Sequence, residues 1–131
     1  MNSMLHNIPA LMRGRDRCTL QIHPDDATAR GLVDGGRCEI SSDSGTIEAT
    51  VEVSDSLLPG VVSLPHGWGH DGPDLQLSVA SKHPGANLNA ITGSGGIDVP
   101  SGTAAISGVE IQIRALDAAP RARYRSGRPI A

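Results

Sequence analysis

Residues Thr46 to Val53 alternate without a break: Ile47, Ala49, Val51 and Val53 are apolar, and Thr46, Glu48, Thr50 and Glu52 are polar. A period of two fits a strand with one face in a core and one in water, and a helix would scatter it around its axis. Such a strand must have one face covered, so the chain is committed to a sheet that packs on itself. A hairpin partner stands just upstream. Arg37 to Ile40 is strand-like, and Asp43, Ser44 and Gly45 supply a turn between the two runs.

Similar short runs recur on either side. Cys18 to Ile22 reads as a strand, and Pro24, Asp25 and Asp26 then make a proline-led, acidic first turn that predicts a short helix ending at Arg30 before Gly31. Val61 to Leu64 is an apolar run ended by Pro65. In the run Val109 to Leu116, Val109, Ile111 and Ile113 alternate. The stretch between, His66 to Thr103, reads as long, irregular and glycine-rich, and loops of that length in a compact domain are functional or disordered.

At 131 residues the chain has the size of one domain. With 2% aromatic residues and no Phe the core must be aliphatic, and 16 glycines with 9 prolines mean many turns. We therefore expect an all-β domain with one or two short helices, closed into a barrel of six or seven strands because closure removes sheet edges. Ile47, Ala49, Val51, Val53, Ile111 and Ile113 should be buried.

The formal net charge of −3 divides unevenly: residues 117–131 carry Asp117 and four arginines, so this end is +3 and the preceding body −6. An acidic body argues against a nucleic-acid partner, which calls for a basic face with aromatic platforms. Residues 117–131 read as a solvated, disordered tail. Cys18 and Cys38 lie in strand-like runs with no metal-ligand spacing, which predicts buried thiols of a reducing compartment. No run is apolar enough for a signal peptide or a membrane span, so the expected location is cytoplasmic.

Two clusters could carry chemistry. His66, Gly67, Trp68, Gly69 and His70 combine glycines that let backbone approach a ligand with an indole that stacks or donates; a turn pinned by a half-buried Trp reads equally well. The glycines make a helical two-histidine metal site a poor fit. Asn87 and Asn89 carry amides that match the edge of a heterocycle, and they are also ordinary turn residues. Gly93 to Gly96 lacks the Lys and Ser or Thr of a phosphate loop. No catalytic constellation and no metal site is read from the sequence.

Taken in order, Leu5-His6-Asn7, Arg15 to Leu20, His23-Pro24-Asp25-Asp26-Ala27, Pro59 to Gly69, Asn87 to Thr92 and Asp98 to Thr103 form a series. It resembles the molybdopterin dinucleotide-binding domain at the C-terminus of the dimethyl-sulfoxide-reductase family, which includes formate dehydrogenases and nitrate reductases. The likeness covers residues 1–116. It implies a double-psi β-barrel and a bis-(molybdopterin guanine dinucleotide) cofactor carrying molybdenum or tungsten. It also implies cofactor contacts from His6, Asn7, His66, Gly67, Trp68, Asn87 and Asn89. The metal-ligating residue, iron-sulfur ligands and substrate funnel of such an enzyme belong to other residues of a parent chain. The partner expected is thus the remainder of that oxidoreductase, and this chain alone is expected to be inactive, as an excised domain or a truncated product. A free-standing double-psi barrel used as a binding or interaction module is the other reading.

Overall fold

The computed structural model describes residues 3–93, 96–104 and 107–116. The expected arginine-rich tail lies outside them. Among the described residues seven strands and two short α-helices follow in order: β1 Thr19–Ile22, α1 Pro24–Ala29, β2 Arg37–Ser41, β3 Thr46–Val53, β4 Val62–Ser63, α2 Asn89–Thr92, β5 Ile97–Asp98, β6 Thr103–Ala104 and β7 Gln112–Ala115. Single 3-10 turns occupy Ser3–Asn7 and Ala80–Lys82. The class is mainly β, as the alternation required.

Five strands form one sheet in the order β4-β1-β3-β2-β7, and β5 and β6 pair separately. The alternating run is β3, with the bounds read from the sequence. It pairs antiparallel with β2, setting Cys38 opposite Ala49 and Ile40 opposite Ile47, and parallel with β1, setting Leu20 opposite Val51. This register sends Leu20, Ile22, Cys38, Ile40, Ala49 and Val51 to one face, where all are buried. The opposite face is ionic. Glu39 and Glu48 meet directly across β2 and β3, a like-charge pair that destabilises a sheet unless it is neutralised. Arg37 bonds Glu48, and Arg114 of β7 reaches Glu39 at 2.9 Å.

Local chemistry sets the connections. The His23 ring accepts the Asp25 amide at 3.2 Å ahead of Pro24, and Gly31, at φ +66°, ends α1 in a conformation that disfavours a side chain. Asp26 reaches out of the helix and accepts the Gly60 amide at 2.6 Å, which ties α1 to the turn before β4. That bond, first, and the Arg30 ion pair hold the Asp26 carboxyl below its ordinary range. At the β2–β3 turn, a β-carbon on Gly45 would lie 2.5 Å from the Ala90 carbonyl oxygen, so only glycine lets the hairpin touch α2 there. The Ser42 hydroxyl donates to the Ile91 carbonyl at 2.7 Å across the same contact.

Three expectations change in detail. The stretch 66–103 is less irregular than read, since it contains α2, the Ala80–Lys82 turn and β5; these pieces are too short for periodicity to reveal. The apolar run 61–64 contributes only Val62–Ser63 as strand, and Val61 is exposed. Of the six residues expected to be buried, Ala49 and Val51 are, whereas Ile47, Val53, Ile111 and Ile113 are half-buried against the core. Ile111 and Ile113 sit at the β7 edge, where the described residues place no further strand to cover them.

Candidate functional site

The N-terminal turn and the two candidate loops converge at one place. His6 lies flat on the Trp68 indole, with ring centroids 4.1 Å apart and planes 26° from parallel. Its Nδ1 is 2.9 Å from Nε2 of His70, and both histidines are buried. The Asn7 side-chain oxygen accepts the backbone amides of Val79 and Ala80 at 2.9 and 3.1 Å. These contacts hold residues 3–7 against the body of the domain although the N-terminal turn has no strand partner.

The second loop is locked to the first through backbone. The Gly69 and His70 amides both donate to the Pro84 carbonyl, at 2.7 and 3.2 Å. Glycine is required on both sides of this junction. A β-carbon on Gly69 would meet Asn87, and one on Gly85 would meet Trp68 and the Cys18 sulfur within 3 Å. Cys18 is buried beneath the junction and its Sγ accepts the Ala86 amide at 3.2 Å. Burial pushes its thiol pKa up, and burial pushes that of Cys38 up to about 11. Both are inert structural thiols by this environment.

The residues named from the sequence thus divide by role. His6, Asn7 and Trp68 spend their polar or aromatic groups on the protein itself. Asn87 is exposed and its Oδ1 accepts the Asn89 amide at 3.2 Å. Its side-chain NH₂ group, the Asn89 side-chain amide and the His66 ring belong to exposed residues and have no partner among the described residues. Gly67 follows His66 at φ +90°. His70 lies outside the residues implied by the resemblance; its burial against His6 makes it part of the frame, and its spacing to His66 is the sequence signal for it.

Chemically, this surface presents neutral donors and acceptors of amide type beside an aromatic stack. It suits a planar heterocycle with several polar edge atoms. It is an exposed rim: a cavity of about 1060 Å³ among the described residues borders Leu88, Ile91 and Thr92 but not residues 66–70. Among the described residues no group of three or more His, Cys, Asp or Glu is placed to hold a metal ion, and no helix is long and apolar enough to cross a membrane.

Comparison with known proteins gives this geometry a context. Residues 1–110 match the family model described as the molydopterin dinucleotide binding domain. The chain is 36% identical to a dimethyl sulfoxide/trimethylamine N-oxide reductase of Rhodobacter capsulatus over 49% of its own length and 8% of the relative's. It is 35% identical to a biotin sulfoxide reductase of Cereibacter sphaeroides over 57% of its length and 11% of that protein's. In fold it is similar to acetylene hydratase from Pelobacter acetylenicus, with a TM-score of 0.57 at 19% identity, covering 73% of this chain and 14% of that one. The chain spans about a tenth of each of these proteins.

Proposed function

The chain belongs to the family of molybdopterin dinucleotide-binding domains, and we propose that its converging loops hold one part of a bis-(molybdopterin guanine dinucleotide) cofactor for a larger oxidoreductase. The observation that carries this is the unspent side-chain NH₂ of Asn87 and side-chain amide of Asn89, on a loop held against Gly69 and Trp68 by the Gly69–Pro84 and Gly85–Trp68 contacts. A cofactor of this class is anionic at its phosphates and amide-like at its heterocycles. Free side-chain amides and glycine backbone fit both, so the residues present are suited to the group.

When bound, the cofactor would supply the redox chemistry at its molybdenum or tungsten. The chain's own residues bind and orient. Asn89 and the free NH₂ of Asn87 read a heterocycle edge, His66 offers a further donor or acceptor, and His6, Asn7 and Trp68 hold the loop that carries them. We assign no catalytic residue.

The parent enzyme is proposed to be a reductase acting on an oxide such as a sulfoxide or amine N-oxide. The names of the similar reductases favour this over the formate dehydrogenase and nitrate reductase branches that the motif series brought in. The remainder of the parent is the expected partner, a reading supported by Ile97 and Val99. They are 64% and 88% exposed on the β5–β6 hairpin, and an isolated two-stranded hairpin is marginal in water.

Amide chemical-shift mapping of the full chain with guanosine diphosphate and with released pterin cofactor tests the assignment. Shifts should concentrate at Gly67 and at Asn87 to Thr92, and Asn89→Ala should weaken binding by about 0.5–1.5 kcal/mol for a neutral hydrogen bond, with unfolding unchanged. Shifts that avoid both loops would remove the assignment whatever the fold.

A further inference from the structure

The 3-10 turn at residues 3–7 docks through polar side chains and leaves apolar ones outside. His6 is buried and Asn7 half-buried, whereas Met4 and Leu5 are exposed, as are Ile8 and Leu11 just beyond. None of these residues joins the hydrophobic core. What holds the segment is the His6 ring on Trp68, the His6–His70 contact, and the Asn7 oxygen on the Val79 and Ala80 amides. A hold of this kind can be undone by a proton, as aliphatic burial cannot.

The histidine contact is the part that acid reaches. At 2.9 Å there is room for a single hydrogen between Nδ1 of His6 and Nε2 of His70, so one of the facing nitrogens must be a bare acceptor. An imidazolium carries hydrogen on both nitrogens, and two protonated rings would set N–H against N–H and charge against charge in a buried place. The other titratable groups on the packed segments are His66, Asp71 and Asp74 on the loop, Lys82 and His83 at the adjoining turn, and Cys18 with Asp16 beneath the junction. Among the described residues no carboxylate acts on His6, while burial and then the charge of His70 oppose its protonation against the Gly67 backbone. Undocking returns the ring to water, so acid favours the undocked segment. The neighbouring ties have no such weakness. The Gly69 amide donates to the Pro84 carbonyl, and the Ala86 amide to a Cys18 thiol that burial keeps protonated.

We infer that residues 3–7 are a pH-operated latch, docked at neutral pH through His6, His70 and Asn7 and released in mild acid, which uncovers one face of the Trp68 indole and frees the Val79 and Ala80 amides. The Gly69–Pro84 and Ala86–Cys18 ties behind it stay closed. The inference does not depend on the cofactor assignment, since every contact in it lies within the chain.

Amide hydrogen exchange of the full chain at about pH 7 and about pH 5, corrected for the intrinsic effect of pH on exchange, tests the latch. Protection at Val79 and Ala80 should fall on the order of tenfold in acid, while Val51 and Gly69 keep theirs. Emission of Trp68, the single tryptophan of the chain, should move to longer wavelength over the same range as His6 leaves its face. In His70→Gln the new amide can donate to or accept from either form of His6, so the fall at Val79 and Ala80 should vanish; if that variant does not fold, His6→Gln carries the same expectation against His70. Asn7→Ala should free the two amides at both pH values and leave the Trp68 response in place. Three results would each overturn the inference. One is equal protection of Val79 and Ala80 at the two pH values. Another is parallel loss at Val51, which would make the acid effect an unfolding of the whole domain. The third is an undiminished fall in the glutamine variants, which would put the titration on another group.

Discussion

His6 and His70 meet across 2.9 Å inside the domain, one ring nitrogen donating to the other. Protonating His6 would place a cation in this buried contact, and among the described residues no carboxylate acts on it to offset this: burial, then the charge of His70, hold its pKa below the ordinary 6.5, and the Gly67 backbone opposes them. His66 and Asp71 on the same loop, Lys82 in the adjoining turn, His83 just after it and the Cys18 thiol beneath the junction are further titratable groups on the packed segments. The folded state thus binds its proton later than the unfolded chain as pH falls. The contribution is complete above 6.5 and is lost as pH drops from there through the lower folded value. The thermal midpoint should fall between about pH 7 and about pH 5, and His70→Gln, which keeps a donor without a charge, should flatten that fall. An equally steep variant would place the dependence elsewhere. Gly85 makes a second, independent claim on the same junction. It lies at φ +65° with Trp68 and the Cys18 sulfur within 3 Å of any β-carbon. Gly85→Ala should destabilise by about 1–3 kcal/mol through overpacking, read in urea with Trp68 fluorescence as the probe.

At the level of elements, β3 carries the fold. Val51 is 2% exposed, sits opposite Leu20 and has β1 on one side and β2 on the other. Val51→Asp places an unpaired carboxylate in that core and should cost about 4 kcal/mol or more, a large share of a typical domain's stability. Loss of dispersed amide resonances is the expected reading, and a folded variant with an unchanged midpoint would show that β3 is misplaced. The tie between α1 and β4 is milder. Asp26→Asn keeps an acceptor for the Gly60 amide and gives up the charge, so it should lower the thermal midpoint slightly, and only at pH values above the lowered Asp26 pKa. β3 could be read from the sequence to the residue because its period spans eight positions and both faces contrast. α2 and β5, of four and two residues, hold no full period, and the position of α2 depends on contacts made by Gly45 and Ser42 far off in sequence. The site was legible as two loops rich in His, Asn and Gly. That His6 and Asn7 would be spent on internal contacts was not, since a polar side chain looks the same in sequence whether it faces a ligand or a neighbouring backbone.

For the whole molecule, the arrangement separates holding a cofactor from doing chemistry with it. The amides at Asn87 and Asn89 stand on an exposed rim, so a ligand bound there has one side against this domain and the other in solvent. Affinity for such ligands comes from enclosing most of their surface, and a domain that spans 8% of a similar reductase can supply only part of the enclosure. Purified alone, the chain should therefore retain far less than stoichiometric molybdenum or tungsten and show no turnover of sulfoxides or amine N-oxides, although its fold is intact. Elemental analysis after gel filtration reads the first expectation and a reduced-dye assay the second. The two measurements separate the possible failures. Metal retained at one equivalent without turnover would mean that this domain encloses the cofactor more fully than its exposed loops suggest. Turnover itself would require a complete substrate site within this chain, and the division of labour argued here would not hold.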